Sequence, residues 1–253
     1  VSGNVTVTHN LVVGANITIG DALFNNRGYP IGDGGVDYFN PYTLEFTSCN
    51  ANTVNPFLGA VTGAATFVAQ PGTEMHPGIC RITDSATANA NYRVLSDLTA
   101  FRVNGTERAR FVFRKISNRA TASCRFGFQD SAAIQTLPTD AVMFNMTGLS
   151  LTGSVRNNTA TTTTSTNYAM SLNTWYNAIF VVNDSATGVD FFLYDENITT
   201  LLWNDTVSSN VPVSAGRETG FGVICGETTT DAGQGIADLD FMNLQIRRQI
   251  RRT

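Results

Sequence analysis

Arg108-Ala109-Arg110-Phe111-Val112-Phe113-Arg114-Lys115 and, after a short break, Ala122-Ser123-Cys124-Arg125-Phe126-Gly127-Phe128 decide the fold of this chain. In the first stretch Ala109, Phe111 and Phe113 fall on one side, and Arg108, Arg110 and Arg114 fall on the other with Val112. In the second, Ala122, Cys124, Phe126 and Phe128 line one side, opposite Ser123, Arg125 and Gly127. A period of two places successive side chains on opposite faces of a strand. Burying the four phenylalanine rings is worth roughly 1.5–3 kcal/mol each before entropy is counted. The phenylalanine sides are therefore core. The arginine sides face solvent, a ligand or a partner.

The same pattern extends along the chain. Fifteen short apolar segments, from Leu44–Phe46 to Ile236–Ile246, read as strands separated by turn signals; among them are Thr99–Val103, Asn167–Ser171 and Thr199–Leu202. Asn183-Asp184-Ser185-Ala186-Thr187-Gly188 makes the turn of a hairpin spanning Trp175–Tyr194. Spacing of roughly 8–15 residues with no helical stretch predicts an all-β protein, an antiparallel β-sandwich or jelly roll, over residues 42–248. Ahead of it, Asn4-Val5-Thr6-Val7 recurs as Asn16-Ile17-Thr18-Ile19. Segments so short cannot bury an apolar face alone and must pack on the main domain or on sister copies. Residues 1–24 therefore read as a β stalk that drives oligomerisation. Residues 25–41, rich in Gly, Asn and Asp, read as a linker, and residues 249–253 as a basic tail.

Charged residues are only 14% of the chain against 42% hydrophobic, which excludes a disordered protein. The net charge of −4 gives no pull toward nucleic acid, and no apolar run approaches the roughly 18–20 residues of a membrane span. Lys115 is the single lysine beside fifteen arginines. Cys49, Cys80, Cys124 and Cys225 form no close pair, so buried free thiols are the expectation, with disulfides the alternative. No ligand spacing for zinc and no calcium loop occurs, and no metal or other cofactor is expected. His9 and His76 read as structural or solvated residues, with no Ser or Cys arranged for a triad. Asp238 and Asp240 are the best carboxylate pair, on one strand face with Leu239 and Phe241 on the core side; an exposed face, not catalysis, is the expected reading. Trp175 and Trp203 are expected in the core or under loops. Eight glycosylation sequons barely exceed chance.

The unusual feature is an arginine face. Arg110, Arg114 and Arg125 are the candidate ligand-binding residues, suited to acidic sugars or carboxylates. The alternative is a surface interlaced with Asp and Glu from a neighbouring strand.

Two resemblances follow. Residues 2–21, SGNVTVTHNLVVGANITIGD, look like the repeats in stalks of phage and virus tail-fibre proteins. His76-Pro77-Gly78, Arg125-Phe126-Gly127-Phe128, Thr174-Trp175-Tyr176, Val189-Asp190-Phe191-Phe192-Leu193 and the closing Asp238-Leu239-Asp240-Phe241 are together similar to a concanavalin-like lectin/glucanase jelly roll. The acidic catalytic triad that glucanases of this type carry on one strand is missing, which favours binding over hydrolysis. The resemblance implies a non-enzymatic virion surface protein (fibre, spike or capsid decoration), extracellular and trimeric. Its head would contact a host-surface glycan or pack on other virion proteins. A secreted glycan-processing enzyme or lectin is the other reading.

Overall fold

The computed structural model describes residues 17–19, 22–24, 30–31, 38–45, 58–85, 90–105, 107–228 and 234–247, with side chains from Ala60 to Ile246. The first repeat copy, His9, Cys49 and the basic tail lie outside the described residues. The strands are β1 (Ile17–Ile19), β2 (Ala22–Phe24), β3 (Pro30–Ile31), β4 (Tyr38–Glu45), β5 (Leu58–Thr62), β6 (Thr66–Gln70) and β7 (Ile79–Thr83). They continue with β8 (Asn91–Leu95), β9 (Glu107–Lys115), β10 (Ala122–Gln129), β11 (Ala141–Thr147), β12 (Ser150–Asn157) and β13 (Ala160–Thr163). The last are β14 (Tyr168–Ala169), β15 (Trp175–Val182), β16 (Val189–Tyr194), β17 (Leu201–Val207), β18 (Gly220–Glu227) and β19 (Ile236–Arg247). Among the described residues there is no helix.

Two antiparallel sheets form the sandwich. One runs β13-β12-β11-β10-β18-β8-β5, with β14 also on β12; the other runs β17-β16-β15-β9-β19-β7-β6. The long strand β19 pairs along its whole length with β9; on its other side β7 takes its first half and β4 its second. The inward side chains are those whose alternation marked them as core: Phe111 and Phe113 from β9 meet Phe126 and Phe221 of the facing sheet, and Phe128 meets Phe180 of β15, all essentially inaccessible. Phe113 stacks on Phe126 at 4.7 Å between centroids, and Phe111 lies 5.5 Å from Phe221. Such offset and tilted geometry suits the ring quadrupoles.

The structure departs from the sequence reading in several places. Thr99–Val103 is no strand and keeps one bridge, Phe101 to Thr219, because Asp97 folds Leu98–Ala100 into a turn, accepting from the Thr99 amide and hydroxyl. Strand β17 starts later than expected, since Asp195 accepts from the amides of Thr199 and Thr200 and holds them in a loop. Within the stretch read as a linker, β3 pairs with β2 in a small three-stranded sheet, and Tyr38 already opens a strand of the sandwich.

The expectation of free thiols is overturned as well. Cys124 and Cys225 stand directly opposite on β10 and β18 and are joined by a disulfide across 101 residues of chain; Cys80 is disulfide-bonded too. Opposed residues of an antiparallel pair bring their Cβ atoms into bonding range, which linear spacing does not reveal.

Candidate functional site

The outward face of the β15-β9-β19-β7 region carries the charged chemistry. Register aligns Arg81, Asp238, Arg114 and Trp175 in one row across four strands. Asp238 has no exposed surface; it accepts from Arg81 Nε (2.7 Å) and Nη2 (2.9 Å) and from Arg114 Nε (2.9 Å). The Asp238 bond holds the Arg81 guanidinium above its ordinary range. With both oxygens committed to two guanidinium groups, Asp238 is an anchor and not a general acid.

A bulge then changes the phase of β19. Leu239 pairs with Phe113 and Phe241 with Val112, leaving Asp240 as the extra residue. Phe241 is thereby turned outward, contrary to the sequence reading, and joins Ile79, Val112 and Trp175 in a small apolar cluster on the outer face. Met242 resumes the inward phase.

Asp240, presented by that bulge, meets His76. The imidazole is buried, with Nδ1 2.8 Å from Asp240 Oδ2 and Nε2 2.8 Å from Glu196 Oε1. Ionised carboxylates only accept, so an imidazolium satisfies both contacts at once. The ring stacks on Trp175 at 4.0 Å, and Arg114 covers the same indole at 4.6 Å. His76 reaches this position because the loop from β6 to β7 folds onto the sheet. Thr73 and His76 exchange backbone hydrogen bonds, and a Cβ at Gly72 would meet Pro77 O at 2.4 Å, so the loop closes only around glycine.

Asn177, on β15 and fully buried, ties the other side together. Its Oδ1 accepts from Arg110 Nε (2.8 Å), and its Nδ2 donates to the carbonyls of Asp195 (3.0 Å) and Glu196 (2.8 Å). One amide thus aims Arg110 and positions the loop bearing Glu196. Arg110 lies over the Phe241 ring at 5.3 Å, and burial lowers its guanidinium pKa, with nearby Arg108 adding to the effect.

These residues enclose a cavity of about 190 Å³ lined by Met75, His76, Arg110, Glu196, Asp240 and Phe241, among others. It offers guanidinium donors and carboxylate acceptors above an apolar floor of Val112 and Phe241. Among the described residues no cluster of His, Cys, Asp and Glu is arranged to hold a metal ion.

Of the three arginines marked in the sequence, the structure brings Arg110 and Arg114 to this face, with Arg110 lining the cavity and Arg114 further along the same strand, over the Trp175 indole. Arg125 is elsewhere. It points outward from the other sheet, 1% exposed, and donates to the carbonyls of Ala133, Ile134 and Thr136. Burial drives its pKa down to about 10, assisted by Arg156. It organises a loop, and the three arginines do not form one face. His76, Glu196 and Asn177 were not marked as ligand-binding residues. Nothing local in the sequence joins His76 to partners 120 and 164 residues away.

No curated protein matches the chain by sequence. A protein of unknown function, SO2946 from Shewanella oneidensis MR-1, superposes with a TM-score of 0.67 at 18% identity, covering 83% of this chain and 87% of that one. The Lotus tetragonolobus seed lectin gives 0.53 at 10% identity, over 82% and 100%. A carbohydrate esterase from the Shiga toxin-encoding bacteriophage phi24B gives 0.52 at 11%, over 84% and 100%. The fold is thus the lectin-like jelly roll. The family model for the SO2946-like C-terminal domain matches residues 75–240, a segment that begins beside His76 and ends on Asp240. The chain belongs to the SO2946-like family, through its C-terminal domain.

Proposed function

We propose that the sandwich is a non-enzymatic, carbohydrate-binding head that seats a sugar in the cavity beside His76. The observation that carries this reading is the disposition of Arg110. Its Nε is held by Asn177, while no hydrogen bond to its terminal amino groups is found among the described residues; these stand beside Asp240 and Glu196 over the Phe241–Val112 floor. Paired donors and acceptors above an apolar surface match the hydroxyls and C–H face of a pyranose. The lectin-like fold supports the same class of ligand.

On this reading the head belongs to a virion surface protein, a fibre, spike or capsid decoration, whose N-terminal β stalk assembles a homotrimer. The head serves host-surface attachment or packing against other virion proteins. The buried disulfide between Cys124 and Cys225 suits an extracellular setting. Titration calorimetry of the whole chain against glycans selected on an array is expected to give binding that Arg110→Ala weakens at least about tenfold. Binding unaffected by that change overturns the assignment.

A secreted glycan-processing enzyme is the second reading, favoured by the two carboxylates that flank His76. Release of free sugar that stops in Asp240→Asn would establish it in place of the first.

A further inference from the structure

Resting on the reading of the cavity as a sugar site, we infer that the ligand is an extended oligosaccharide of about three units, lying across the strands from the His76 cavity to a platform made by Phe192 and Tyr194. Strand register fixes the path. Arg110 on β9, Ile179 on β15, Phe192 on β16 and Asn204 on β17 form one outward row; Phe241, Val112, Asn177 and Tyr194 form the row beside it. Neighbouring strands are roughly 4.8 Å apart, which puts Phe192 about 10 Å from Arg110 across the sheet. One strand spacing is close to the advance of one sugar along a chain, so units over the cavity and over Phe192 leave room for one unit between them, which passes above Ile179 without resting on it, since Ile179 is only 4% exposed.

The platform is otherwise unexplained. Along β16 the inward side chains Val189, Phe191 and Leu193 are core, while Phe192 and Tyr194 face out and remain half-exposed. Their rings lie 6.4 Å apart at 30°, and each is the other's only ring partner among the described residues. The Tyr194 hydroxyl makes no hydrogen bond there either. Two adjacent rings, tilted 30° to each other on an outward sheet face, suit the C–H faces of successive sugars in a chain, and the open hydroxyl adds a polar handle at the rim. A site built for a single terminal sugar has no use for them.

The test is calorimetry with the whole chain and linear gluco-, manno-, galacto- and N-acetylglucosamine oligosaccharides of one to six units. Affinity is expected to rise at least about tenfold from one unit to three and then to level off. Phe192→Ala and Tyr194→Ala, checked for unchanged melting temperature, should erase that gain; Phe192→Leu supplies a milder variant should the alanine form not fold. Equal affinity for one and three units, or a gain that survives both alanine changes while Arg110→Ala still abolishes binding, overturns the extended site and leaves the cavity assignment standing. Absence of binding across the whole panel overturns both.

Discussion

At the scale of single residues, the polar groups of this sandwich are divided between anchoring and display. Asp238 is the clearest anchor, pairing with two guanidinium groups from a position without solvent. Asp238→Asn leaves Arg81 and Arg114 competing for a neutral amide; a loss of about 3 kcal/mol is expected, measured by chemical denaturation. Asn177→Ala frees Arg110 and the Glu196 loop together, so it should lower stability by about 1–3 kcal/mol and weaken glycan binding, although Asn177 itself is too buried to reach a ligand. Arg125→Met should destabilise the loop at residues 131–136 and leave glycan binding as it was, since among the described residues its guanidinium bonds only to backbone carbonyls of that loop, beside the sheet opposite the cavity.

At the scale of strands, one end of the core is unusual. The inward phase that places Phe111 and Phe113 on β9 next places Lys115, and the phases of β7 and β18 lead in the same way to Asp84 and Glu227. All three are buried. Burial lifts the Asp84 carboxyl from 3.8 to about 6, with Glu227 adding to it and the Gly235 amide, Lys115 and Arg119 opposing. Burial lowers the Lys115 ammonium from 10.5 to about 8 against the pull of Asp84 and Glu227.

Both shifts mark a charged form that is disfavoured in the folded state. For Asp84 the folded chain binds the proton more tightly than the unfolded one, so stability grows as pH falls from 6 toward 4. For Lys115 it binds the proton less tightly, so stability grows as pH rises from 8 toward 10.5. Each shift corresponds to roughly 3 kcal/mol. Relative to the wild type, Asp84→Asn should flatten the acid limb of a melting-temperature profile and Lys115→Met the alkaline limb.

Alternation was enough to read the central strands and their core faces from the sequence, because Ala109, Phe111 and Phe113 leave no other burial. It could not reveal the bulge at Asp240. One extra residue inverts Phe241, and its cause lies in the pairing with β9. The site depends on that inversion and on His76 arriving from a distant loop, so its composition was hidden while its arginine rim at Arg110 was visible.

For the whole molecule, the claims concern assembly and ligand. Cys124 and Cys225 close a loop of about a hundred residues inside one sheet, and removing the bridge by Cys124→Ser with Cys225→Ser should cost about 2–5 kcal/mol in denaturant unfolding. If residues 1–24 form a shared stalk, light scattering should give a trimer for the whole chain and a monomer once that segment is removed; a monomer in both cases contradicts the fibre reading. The central claim is that the outward face around His76, Asp240 and Arg110 holds a sugar. A crystal soaked with the tightest-binding trisaccharide tests it most directly. Density is expected over Val112 and Phe241 within hydrogen-bonding reach of Arg110; density only at the loops closing the ends of the sandwich would contradict the sugar assignment.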